Sequence, residues 1–88
     1  MKINVKNRIL YKARKAYYLT PMEVKMILML SNGEWNYYDE IRGYIYKRNI
    51  CNRIIKERFK ELRKKIKIYI RVNNIGIRMD EAVIIEWC

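Results

Sequence analysis

Residues 52–72 read NRIIKERFKELRKKIKIYIRV, and the periodicity of that stretch changes partway along it. Ile55, Phe59, Leu62 and Ile66 recur at intervals of 4, 3 and 4 residues, which is one face of a helix. At about 100° per residue the opposite face receives Arg53, Lys56, Glu57, Lys60 and Lys64, with Arg63 at the edge of the apolar stripe and Asn52 near the start. From Lys67 onward the period becomes two: Ile68, Ile70 and Val72 alternate with Tyr69 and Arg71, and most of these are strong β-formers. Asn73-Asn74-Ile75-Gly76 is turn chemistry, because asparagine and glycine tolerate positive φ, and Ile77-Arg78-Met79 returns as a second strand. The stretch predicts a basic amphipathic helix, capped by Asn49 or Asn52 and reaching about Lys65, that leads directly into a β-hairpin.

Working outward, two shorter helices precede it. Thr20-Pro21-Met22-Glu23 is a capping box with proline at the first helical position, and Ser31-Asn32-Gly33 supplies a stop, so a helix is expected over 21–31. A second runs from Tyr37 or Tyr38 to Tyr46, with Asn36 and Asp39 as a looser cap and Ile41 and Ile45 on one face. Gly43 inside it costs about 1 kcal/mol relative to alanine and suits a close approach by a neighbouring helix. Residues 1–19 fit two descriptions. Ile3 with Val5, and Ile9 with Tyr11, alternate with polar residues as in a small meander with turns at Lys6-Asn7 and Arg14-Lys15, whereas Ile9, Leu10, Ala13, Ala16 and Tyr17 fit a helix face. The tail 80–88 carries Val83, Ile84, Ile85 and Trp87 and either packs back on the domain or forms a dimer contact.

Composition narrows the function. The 88 residues hold 20 Lys+Arg against 9 Asp+Glu, a net charge of +11, with 51% hydrophobic residues. That is enough apolar matter for one core, residues 1–88 as a single domain, and far too much for a disordered basic tail. There is no histidine, and the only cysteines are Cys51 and Cys88, so neither a zinc site nor a disulfide framework is expected. No nucleophile–base pair is visible, which argues against an enzyme, and no cofactor or metal is implied. Cys51 reads as a small buried or helix-start residue. The longest apolar run, Met26–Leu30, is too short to span a bilayer, and six cations within the first twenty residues argue against a signal peptide, so a cytoplasmic, nucleoid-associated protein without a membrane partner is expected.

The charge is unevenly placed. Residues 47–71 hold eleven cations and two anions, residues 1–19 six cations and no anion, while 20–46 and 72–88 are each net acidic by two. A block of that kind attracts a polyanion through counterion release, and nucleic acid is the usual one.

Three helices followed by a hairpin, with the basic face on the third helix, describe an α+β winged helix-turn-helix: small amino-terminal antiparallel sheet (1–19), helices (20–66), wing (67–79) and tail (80–88). The residues also resemble the DNA-binding domain of OmpR/PhoB-type response regulators. Leu19-Thr20-Pro21-Met22-Glu23 is similar to that family's L-T-x-x-E, and Gly33-Glu34-Trp35 through Ile41, Ile45 and Tyr46 to its second helix. Ile55, Phe59 and Leu62-Arg63-Lys64-Lys65-Ile66 resemble its third helix, and Asn74-Ile75-Gly76-Ile77-Arg78-Met79 its G-x-G-Y-R-L wing. The resemblance covers about residues 3–79. It favours strands over helix in 1–19 and implies duplex DNA as the partner. The chain departs from the pattern at Asn74, in place of a glycine, and at Ile77, in place of the tyrosine, and it is expected to be a stand-alone module without a receiver domain.

The expected DNA contacts are Arg53 as base reader, Lys56, Lys60 and Lys64 on phosphates, and Asn52 and Arg63 beside them. Lys47 and Arg48 lie ahead of the helix, with Asn49; Arg71, Asn73, Asn74 and Arg78 lie in the wing, where Arg71 and the asparagines are placed at the tip. Arg78 can instead pair with Asp80 or Glu81, and the helix face can instead be a solvated one tied by pairs such as Arg53–Glu57. Trp35, Tyr37, Tyr38 and Tyr46 read as core or turn packing. The leading function is a small transcriptional regulator, binding as a homodimer. Codon-biased composition rich in Ile, Lys, Asn and Tyr points to a low-GC bacterium, phage or plasmid. A weaker resemblance, to winged-helix adaptors of tubulin-type partition systems, gives the alternative of a centromere-binding protein with a filament partner. A protein-interaction module with an acidic partner is the third reading.

Overall fold

In the computed structural model, which describes residues 1–88, the amino-terminal segment is a meander: β1 (Lys2–Asn4), β2 (Ile9–Lys12) and β3 (Lys15–Tyr18), paired antiparallel in sequence order. The helical alternative for this segment is excluded. Register places Ile3 opposite Leu10, both fully buried, so the inward residue of β2 is Leu10, while Tyr11 is 44% exposed. Alternation through Ile9 and Tyr11 therefore marked the outer face. The β2–β3 turn sits at Ala13-Arg14, one residue earlier than expected, with both φ values positive (49° and 65°). Such two-residue turns match the right-handed twist of the flanking strands.

Helix α1 (Pro21–Leu30) carries the full capping box: Glu23 N–H donates to Thr20 Oγ1 (3.2 Å), and Thr20 N–H donates to Glu23 Oε1 (2.8 Å). Val24, Met26, Ile27 and Leu30 are buried. Gly33 follows at φ 72°, where the missing Cβ is needed.

The next segment differs from expectation in three ways. Asn36 is no cap. It belongs to a short strand, β4 (Asn36–Tyr37), is 4% exposed, and its amide donates to Glu34 O (3.0 Å) while accepting from Asn32 (3.2 Å). Helix α2 (Tyr38–Ile41) starts instead at Tyr37, whose N–H donates to Glu40 Oε1 (3.3 Å). It then widens into a π-helical turn, Arg42–Tyr46, closed by Lys47 N–H donating to Arg42 O (2.7 Å), with Lys47 left-handed at φ 53°. Gly43 lies exposed in this turn. Nothing stands within 4 Å of where its Cβ would be, so close helix approach is not its role.

Helix α3 (Asn52–Ile66) has Cys51 as its N-cap, rather than Asn49 or Asn52. Asn52 is already engaged, accepting from the Arg42 guanidinium, and Cys51 is exposed at the helix start rather than buried. Ile55, Phe59, Leu62 and Ile66 are at most 1% exposed, and burying such side chains is worth about 1.5–3 kcal/mol each. The helix ends where Lys67 turns left-handed (φ 53°). Ile68 and Ile70 stay buried with Tyr69 exposed, so alternation begins before the paired strand β5 (Ile70–Val72). The hairpin closes on β6 (Gly76–Met79), and the second sheet has the order β4-β6-β5.

The tail returns as β7 (Ile84–Glu86), parallel to β1, giving the first sheet the order β3-β2-β1-β7. That sheet is therefore mixed rather than antiparallel throughout. Val83 and Ile85 pack on the core, leaving Ile84 and Trp87 outside at 66% and 64% exposure. No helix is long and apolar enough to cross a membrane.

Two stability predictions follow from these contacts. A Cβ on Gly76 would meet Asn36 O at 2.3 Å, backbone against backbone, so Gly76→Ala is expected to cost about 1–3 kcal/mol, measured as a lowered urea midpoint. The glycine is there for strand approach, since its φ is not positive. Ile85→Asp is expected to lower the midpoint comparably, because it places a charge where β7 closes the sheet over Ile3. An unchanged midpoint would leave the tail without a structural role.

Candidate nucleic-acid interface

Helix α3 buries one stripe and is tethered on both flanks. On the flank toward the hairpin, Lys56 Nζ donates to Asn74 Oδ1 (2.7 Å) and lies 5.8 Å from the Tyr38 ring centroid, while Arg63 Nη1 donates to Ile70 O (3.0 Å). On the flank toward α1, Lys65 Nζ meets Glu23 Oε1 at 2.7 Å, and Arg58 lies 3.6 Å from Glu61 one turn on. Between the flanks runs the crown: Arg53, Glu57, Lys60 and Lys64. All four are exposed, and none has a side-chain hydrogen bond or ion pair within the chain. The Arg53–Glu57 pair is absent. Lys47 and Arg48, in the turn before α3, are likewise exposed and unpaired.

The acidic residues account for this division, because most of them hold cations that lie off the crown. Asp80 accepts from Arg71 Nη2 (2.8 Å) and lies 3.0 Å from Arg78 Nε, the latter an ion pair by distance rather than a directed hydrogen bond. Arg71 also stacks 5.4 Å from the Trp35 ring centroid. Glu81 and Glu86 sit 3.8 and 3.2 Å from Lys12 and Lys2. Asp39 pairs with Arg42.

The expected site residues thus divide. Arg53, Lys60, Lys64, Lys47 and Arg48 are exposed and make no ion pair or side-chain hydrogen bond within the chain. Asn52, Lys56, Arg63, Arg71, Asn73, Asn74 and Arg78 all have partners within the chain. Arg71 is not at the wing tip: it pairs across the hairpin with Arg78, in the middle of β5. The tip turn is built by a side chain rather than by positive φ, for Asn73 Oδ1 accepts from Ile75 N–H (2.8 Å) and Gly76 N–H (2.9 Å), and residues 73–76 have no positive φ.

Two residues of this surface escape a reading by charge. Tyr38, 4% exposed, donates its hydroxyl to Asn73 O (2.5 Å) and so fixes the wing relative to α2. Burial pushes its phenol above the ordinary value, which keeps it a donor. Ile75 is 64% exposed at the wing tip. An aliphatic side chain between asparagines and a glycine was its only signal. Of the aromatic residues expected to pack, Tyr38 does, Trp35 and Tyr46 are half-buried, and Tyr37 is 52% exposed.

The Lys65–Glu23 tether titrates. Burial alone would raise the Glu23 carboxyl, but hydrogen bonds from Lys65 and Thr20 hold it below its ordinary value. A depressed folded-state value gives stability that is present above the unfolded carboxylate pKa and lost as pH falls through the folded one. Glu23→Gln is therefore expected to lower the urea midpoint at neutral pH, and the difference from the unaltered chain should vanish in acid. A gap that persists at low pH would remove the ion pair as its cause.

No protein-family model and no curated protein sequence matches the chain. Among solved structures, the DNA-binding domain of E. coli CadC superposes with a TM-score of 0.72 at 22% sequence identity, covering 85% of this chain and 80% of that one. The likeness is one of fold. With three helices, a hairpin packed along the third and a small sheet at the amino terminus, the chain has the fold of a winged helix-turn-helix DNA-binding domain.

Proposed function

We propose that the chain binds double-stranded DNA, with the crown of α3 in the major groove and the wing beside it. The observation that carries this reading is the crown itself. Arg53, Lys60 and Lys64 stand exposed without partners, while the cations on either flank of the same helix are neutralised or tied down. A major groove about 12 Å wide admits such a helix, and arginine at its front can pair bidentately with guanine. Lys60 and Lys64, with Lys47 and Arg48 in the preceding turn, suit phosphates, which set affinity and its salt dependence. Glu57 lies between the crown cations without pairing to them, which leaves it free to accept from a cytosine amine. The CadC domain is described as DNA-binding, and its shared fold supports the same class of partner here.

In this reading the protein is a small transcriptional regulator that occupies one or two half-sites as a homodimer. A partition adaptor would use the same crown, but would cover a long array of repeats in a footprint.

The test is a triple substitution. Arg53→Ala, Lys60→Ala and Lys64→Ala together are expected to weaken duplex binding by several kcal/mol and to flatten the log–log salt slope by about one per lysine removed, with the urea midpoint unchanged. Equal binding by the triple variant and the unaltered chain would sink the docking surface.

A further inference from the structure

The wing tip, Asn73-Asn74-Ile75-Gly76, carries no charged side chain. The tip therefore adds no charge to a grip on phosphates, although asparagine amides can donate to phosphate oxygens as well as to base edges. What it presents is fixed by its own hydrogen bonds. Asn73 Oδ1 accepts from two backbone N–H groups, of Ile75 (2.8 Å) and Gly76 (2.9 Å), and Asn74 Oδ1 accepts from the Lys56 ammonium (2.7 Å). Backbone N–H and ammonium groups can only donate, so the atom facing them must in each case be the amide oxygen. The two Nδ2 groups are turned away from those partners. Neither donates to any group of the chain, and both asparagines are exposed. Ile75 stands beside them at 64% exposure. The tip side chains thus leave two amide NH2 groups free to donate, accompanied by one aliphatic side chain, while the Asn73 oxygen is filled and the Asn74 oxygen keeps one lone pair beside Lys56. The Tyr38 hydroxyl on Asn73 O (2.5 Å) and Lys56 on Asn74 hold this group beside the front of α3.

In the minor groove an A·T pair shows only acceptors, adenine N3 and thymine O2, whereas a G·C pair adds the 2-amino group of guanine, a donor, between them. G·C keeps acceptors of its own, guanine N3 and cytosine O2, but its amino group sets a donor against the tip's donors and fills the place that an aliphatic side chain would take on an A·T groove floor. We propose that the wing tip selects A·T pairs in the minor groove: the Asn73 and Asn74 amides donate to adenine N3 and thymine O2, and Ile75 excludes guanine through its 2-amino group. This rests on the duplex-binding reading above and assigns discrimination to three residues that carry no charge.

The test compares poly(dG-dC) with poly(dI-dC), which share their major-groove edges and differ by the guanine 2-amino group, using fluorescence anisotropy of the full chain. The inosine duplex is expected to bind at least about fivefold tighter, the low end of what one good base contact provides. Ile75→Ala and Asn74→Ala, both at exposed positions, are expected to bring that ratio toward one while leaving the salt slope intact. Equal binding of the two duplexes by the unaltered chain overturns the assignment and leaves the docking reading standing. A preference for inosine that survives both substitutions overturns it as well. Failure to bind either duplex sinks the docking reading, and this inference with it.

Discussion

The constraint on which the rest depends is the burial of one stripe of α3. Ile55, Phe59, Leu62 and Ile66 are all but fully removed from water, and the core cluster around them draws on both sheets and all the helices. An interior this closely packed does not let a helix slide or rotate by small amounts. The azimuth of α3 is therefore set, and with it which cations face outward. The flank tethers add to this: Lys56 and Arg63 tie it to the hairpin, and Lys65 to α1. A helix that presents side chains to a groove needs its own position determined elsewhere, and here the hydrophobic stripe does that while the charged flanks set orientation.

The net charge of +11 is misleading if spread evenly over the surface. Most of the acidic side chains hold particular cations: Glu23 holds Lys65, Asp80 holds Arg71 and Arg78, Glu81 and Glu86 hold Lys12 and Lys2. Exposed pairs of this sort contribute little to stability, typically about 0–1 kcal/mol. Their larger effect is on the field, because they neutralise cations on the wing strands and beside β7, whereas the crown, the turn before α3 and the amino-terminal cations Lys6, Arg8, Arg14 and Lys15 stay unpaired.

How much of this was legible in the sequence depends on the range of the interaction. The α1 capping box, the α3 stripe and the hairpin are patterns of three to seven residues, and each appears where its pattern lies. The register of β2 could not be read locally, because both Ile9 and Leu10 are apolar and only pairing with Ile3 decides between them. Helix α3 starts from Cys51, which makes no side-chain cap bond, while Asn52 accepts from Arg42, a contact across the turn that no spacing rule encodes. The same holds for the site. Helical periodicity put Arg53, Lys56, Lys60 and Lys64 on one face, but only the position of Asn74 reveals that Lys56 belongs to the wing flank. The tail joined a sheet whose other strands lie at the opposite end of the chain, and parallel pairing leaves no local signature.

The wing shows why residue type and residue role separate. Asparagine at position 74, where the resembled family has glycine, reads first as a residue tolerant of positive φ. Yet the turn takes no positive φ, and the glycine that remains, Gly76, is held by the approach of Asn36 rather than by its own dihedral freedom. The turn is closed by the Asn73 backbone N–H donating to Gly76 O (3.1 Å) together with the Asn73 side chain, which leaves the amide of position 74 to couple to Lys56. Closing a turn through a side-chain oxygen leaves the amide nitrogen over, and donating Lys56 to the second asparagine leaves another. The donors at the tip are thus by-products of how the wing is folded and tethered, so the hydrogen bonds that shape the hairpin also determine which groups its tip leaves free.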